Sequence, residues 1–142
     1  MRKNGSLIIF SLIIITFTGL SPLAAPENHP FDVQDLVTLK RMSDPQLSPD
    51  GSRIVFSLRE TDLEENRGVT HLWLLESSGT GLNQLTVGES SDFNPRWVPG
   101  GSVVYFLSTR SGSSQVWKID TRGGEAQQVT FFPLDVGGLA IS

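Results

Sequence analysis

The chain has 142 residues, no cysteine and a formal net charge of −4. Disulfide frameworks and thiolate metal centres are excluded, and the acidic balance argues against nucleic acid or an anionic membrane surface as partner. Stability must come from burial alone.

Met1-Arg-Lys3 followed by Leu7–Phe17 gives a basic n-region and an apolar core of secretory length. The core falls short of the ~20 residues that span a bilayer comfortably. Ala24-Ala25 offers a cleavage site, although Leu23 and Pro26 fit its flanks poorly and an uncleaved anchor is the alternative. Residues 1–25 are therefore expected to be a signal peptide, and the protein to be periplasmic or secreted. Removing them takes two of eleven basic residues and leaves nine against fifteen acids, a net −6.

Residues 26–43 are expected to form a linker and a short helix. Pro26 to Pro30 is the linker. Asp32 then suits the N-cap of a helix over about 33–41, with Asp35 in its first turn and Lys40-Arg41 in its last. Leu36, Leu39 and Met42 supply an apolar stripe to dock it.

From residue 44 the sequence repeats. Leu47-Ser-Pro-Asp-Gly-Ser-Arg-Ile-Val-Phe56 returns as Trp97-Val-Pro-Gly-Gly-Ser-Val-Val-Tyr-Phe106. Each is an apolar entry, a Pro-x-Gly turn and an apolar run. Ser48-Pro49-Asp50-Gly51 suits a type I turn closed by a left-handed glycine, which is hairpin chemistry. Pro45 and Pro95, Leu47 and Trp97, and Phe56 and Phe106 stand 50 residues apart. Trp73 and Trp117, Gly79 and Gly123, and Thr86 and Thr130 stand 44 apart. The difference of six lies between Leu58 and His71, where the polar run Arg59–Gly68 reads as an enlarged surface loop.

Strands are expected near 44–48, 53–58, 70–76 and 82–86, and again near 94–98, 103–108, 114–119 and 126–130. Four strands per period of ~40–50 residues is the signature of a β-propeller blade. The fold class is all-β: a partial propeller after a short helix, with residues 44–142 forming blades at about 44–86 and 92–130 and a third begun near Leu139. Ile54-Val-Phe56 and Val103–Leu107 are apolar on both faces, as strands sandwiched between blades should be. A pair of β-meanders in another all-β fold is the alternative.

These residues resemble the WD40-like PD40 repeat, also seen in TolB: Ser48-Pro-Asp-Gly51, Ser108-Thr-Arg110, the centred Trp73 and Trp117, and Leu85-Thr86 with Val129-Thr130. The lead-in Phe31–Leu47, a helix running into Ser43-Asp-Pro-Gln-Leu-Ser-Pro-Asp-Gly51, is similar to the propeller start of S9 (prolyl oligopeptidase family) serine peptidases, acylaminoacyl- and dipeptidyl-peptidase-like members in particular. The resemblance implies a propeller that gates short peptides to a C-terminal α/β-hydrolase domain carrying Ser, Asp and His. The runner-up is a TolB-like periplasmic propeller that binds protein partners without catalysis.

No catalytic, cofactor or metal residue is expected in these 142 positions. A G-x-S-x-G elbow is absent from the sequence. His29 and His71 read as surface histidines without a Ser or carboxylate partner, and Asp50 and Asp120 lack the clustered oxygens of a calcium site. Glu64-Glu65 reads as a solvated charge cluster, and Arg110 and Arg122 as structural hydrogen-bond donors. Trp73, Trp97 and Trp117 read as core residues whose indole N–H groups need partners. Two blades cannot close a ring, so the chain is expected to be the leading part of a longer, exported peptidase. Its partners would be short peptides, bound through the missing domain, and proteins. Beyond the signal peptide no membrane contact is expected.

Overall fold

The computed structural model describes residues 30–141. Residues 1–25, expected to be a signal peptide ending at Ala24-Ala25, and His29 lie outside the described residues. Among the described residues a single helix, α1 (Val33–Thr38), precedes eight strands: β1 (Arg41–Leu47), β2 (Arg53–Asp62), β3 (Arg67–Glu76), β4 (Asn83–Gln84), β5 (Asp92–Trp97), β6 (Val103–Ser108), β7 (Gln115–Asp120) and β8 (Gln127–Gln128). They form two four-stranded antiparallel sheets, each in chain order, β1 to β4 and β5 to β8. The result is an unclosed pair of propeller blades.

The turn chemistry explains the hairpins. Gly51 N–H donates to the Ser48 carbonyl at 2.9 Å, and Gly101 N–H to that of Val98 at 2.8 Å. Both glycines are left-handed, at φ +72° and +67°, where a Cβ would be strained. In the first copy Ser48 Oγ donates to Asp50 and accepts from Arg53 N–H, so the turn is closed by side chains as well.

Four expectations need correction. The helix ends at Thr38, stopped at Leu39 (ψ 123°), and Arg41 opens β1, so no basic residue reaches its last turn. Its capping box, Asp32 with Asp35, is as expected. Its stripe does not dock: Leu36, Leu39 and Met42 are all more than half exposed. The run Arg59–Gly68 is no irregular loop. β2 and β3 continue pairing to Asp62 and Arg67, so the six extra residues lengthen a hairpin whose counterpart in the second blade stops at Ser108 and Gln115.

Alternation along the strands decides which residues meet. Val55, Leu72 and Leu74 of the first blade pack against Trp97, Val104, Phe106 and Ile119 of the second. Burying side chains of this size contributes about 1.5–3 kcal/mol each. The core of the described residues is therefore the seam between the blades.

Candidate functional site at the seam between the blades

Polar side chains lock this seam at both ends. On the inner strands, Asp44 and Asn94 occupy equivalent β-bulges, where the pairing of β1 slips between Ser43 and Gln46 and that of β5 between Phe93 and Arg96. Both are left-handed, at φ +49° and +56°, a conformation Asp and Asn tolerate better than other side chains. The Asn94 amide donates to Asp44 Oδ2 at 3.1 Å and the Arg96 guanidinium to the same oxygen at 2.8 Å. Beside them the Trp97 indole N–H donates to the Gln46 carbonyl at 3.0 Å.

Arg53 closes the seam from the first blade. Its guanidinium donates to Thr121 Oγ1 at 2.8 Å and to the Gly101 carbonyl at 2.7 Å, and lies over the Trp97 ring. Such stacking favours Arg over Lys. At the opposite end Thr70 N–H donates to Ser91 Oγ.

Within the second blade Arg110 holds a buried carboxylate. Its Nη2 lies 2.6 Å from Asp92 Oδ2, its Nε donates to Ser108 Oγ, and its guanidinium covers the Trp117 ring at 5.1 Å. The Asp92 side chain is fully buried and its Oδ1 has no hydrogen-bond partner among the described residues. Arg110 is thus a structural donor, as its position in the sequence implied. Asp92 was not legible, because one aspartate ahead of a strand looks like a turn residue.

The remaining positions singled out in the sequence fall apart in space. Glu64 and Glu65 sit exposed on the hairpin tip, where their backbone N–H groups donate to Asp62 Oδ1. Asp50 accepts from Ser48 Oγ and from Ser52 N–H and Oγ, which holds its carboxyl down at about 2. Hydrogen bonds from the Arg122 side chain and backbone likewise pull Asp120 well below the ordinary carboxylate range. These are charge-stabilised turns. Neither aspartate is poised as a general base, because a depressed pKa makes a weak proton acceptor at neutral pH.

His71 corrects the sequence expectation. It lies inside β3, opposite Leu58, and is 8% exposed, with Nδ1 buried and unpartnered among the described residues. No Ser–His relay forms there. The indoles divide differently from expectation as well. Trp97 belongs to the core and has its partner; Trp117 packs against that core, as expected, but is half-buried like Trp73, and the N–H groups of these two have no partner among the described residues.

What this arrangement does chemically is fix one blade against the next. The family model described as TolB beta propeller domain (PD40) matches residues 35–135. Among curated relatives, the uncharacterized peptidase YuxL of Bacillus subtilis is 32% identical over 103 residues, covering 72% of this chain and 16% of that protein. Dipeptidyl-peptidase 5 of Porphyromonas endodontalis is 31% identical over 107 residues, covering 75% and 16%. The chain thus spans about a sixth of the length of these S9 peptidases. Among solved structures, the AtxE2 isopeptidase superposes with a TM-score of 0.62 at 22% identity, over 72% of this chain and 20% of that one, a likeness of fold.

Proposed function

We propose, for a chain that belongs to the PD40 family of TolB β-propeller domains, that it supplies the leading blades of an exported S9-type serine peptidase. In this role the propeller limits access of short peptides to an α/β-hydrolase domain elsewhere in the polypeptide. The observation that carries it is the 32% and 31% identity to two peptidases over nearly the whole described chain. A filter must keep its blades in register, and the seam is built for that: Arg53, Asp44 and Arg96 tie the blades at separate points around an apolar core. Export rests on the basic and apolar pattern of Met1–Phe17.

The test is active-site labelling of the intact natural polypeptide that carries these residues. A fluorophosphonate probe should label one serine outside residues 1–142, and dipeptidyl or acyl-peptide chromogenic substrates should be hydrolysed. An unlabelled, inactive full-length protein that captures protein partners would instead establish the non-catalytic reading. That second reading is favoured by the TolB description of the matching family.

A further inference from the structure

The two blades repeat one design but differ on the face that each turns toward the segment following it in the chain. In the first blade that position in the middle of the sheet is the cross-strand pair Val55 and Leu74, buried against the second blade. The equivalent pair in the second blade is Tyr105 and Lys118, directly opposite each other on β6 and β7 and half-buried. Neither the Tyr105 hydroxyl nor the Lys118 ammonium has a hydrogen-bond or ion-pair partner among the described residues.

The seam's own ties continue toward this face. Thr70 N–H donates to Ser91 Oγ across the first seam, and 44 residues on Ser114 N–H donates to Asp135 Oδ1 at 2.7 Å. The backbone adds a second tie to the same segment, because Val136 N–H donates to the Ser114 carbonyl at 2.7 Å. On the inner edge Asn94, having donated to Asp44, accepts from Leu139 N–H at 2.9 Å. Ile141 therefore arrives where the next counterpart of Trp97 is due. The chain is led onto the second blade's free face just as β5 is led onto the first.

From this we infer that the sheet covering the free face of the second blade presents a carboxylate to Lys118, and that it belongs to the same polypeptide, entered through Leu139–Ile141. The inference rests on the propeller assignment and adds the chemistry of the next seam. An apolar plug like that of the first seam, built from Trp97, Val104, Phe106 and Ile119, would strip water from an ammonium without supplying an opposite charge. A second copy of this chain does not fit, because the first blade offers Phe56, Trp73 and Leu75 in the middle of its own free face. The competing outcome is a Lys118 stem that lies on the sheet and carries its head out to water.

Zero-length carbodiimide cross-linking of the intact natural polypeptide tests this, with the product mapped by mass spectrometry. The expected result is an amide bond between Lys118 and an Asp or Glu of the same polypeptide C-terminal to residue 142. Lys118→Met should lower Tm by several degrees, since it leaves that carboxylate buried and unpaired. Absence of the cross-link, or one formed only between isotopically distinct copies, overturns the inference. Acetylation and radical footprinting tell its failure from that of the propeller assignment. With Tyr105 shielded but Lys118 acetylated as fast as the exposed Lys40, only the carboxylate is wrong. With both residues fully reactive, no blade covers this face.

Discussion

Asn94 donates its side-chain amide to the carboxylate of Asp44, joining the same bulge in two successive blades at 3.1 Å. Fifty residues of chain separate them, and both are left-handed. Each of the two residues thus does two tasks: it tolerates the backbone of its bulge and it bridges the seam. Asp44→Ala should destabilise by about 1–2 kcal/mol, losing a charge-assisted contact to Arg96 and straining the left-handed backbone. Asp44→Asn should cost less than half of that. Urea denaturation of the two variants is the check.

The Asp92–Arg110 pair should show the asymmetry of buried ions. Arg110→Met leaves a fully buried carboxylate without its cation and should cost about 3 kcal/mol or more. Asp92→Asn should cost less, because the freed guanidinium is a quarter exposed and rehydrates. Combining Arg110→Met with Asp92→Leu should recover part of the loss. Equal effects of the two single changes in chemical denaturation would contradict the assignment.

Asp50 gives the acid limb of the stability curve a definite window. Its carboxyl is lowered from 3.8 to about 2 by hydrogen bonds from Ser48 and Ser52. A depressed folded-state pKa means stability that is complete above the unfolded value and is lost as pH falls from near 4 toward 2. Asp50→Asn should flatten the pH dependence of Tm within that window and leave it unchanged near neutrality. Thermal melts from pH 2 to 7 measure this directly.

Gly51 needs its positive φ and nothing else, since a Cβ built there meets no atom within 4 Å. Gly51→Ala should therefore cost about 1–2 kcal/mol through backbone strain alone, and Gly51→Asn distinctly less. Similar losses for both, read from denaturant midpoints, would point to a steric cause instead.

Much of the fold was legible because its signals are local. Pro49 and Gly51, repeated as Pro99 and Gly101, mark hairpins whatever surrounds them, and the spacing of Trp73 and Trp117 sets the period. What the sequence hid depends on neighbours. His71 looks like a polar residue near a strand start until β3 is seen to reach back to Arg67, which places it opposite Leu58. Arg59–Gly68 looks like a loop because its residues are polar, yet a hairpin extending past the sheet core needs no apolar face. Asp92 and Arg110 are 18 residues apart, and only the β5–β6 pairing brings them together. Likewise the Leu47-for-Trp97 exchange marks an outer face only when exposure is known: Leu47 is 60% exposed and Trp97 9%.

The most direct test of a gating propeller is the length dependence of hydrolysis by the intact natural polypeptide. A short chromogenic peptide and the same sequence embedded in a long, unfolded protein should be offered side by side. A gate built from rigidly tied blades predicts rapid cleavage of the peptide and at least a hundredfold slower cleavage of the embedded site. Equal rates for the two would contradict it.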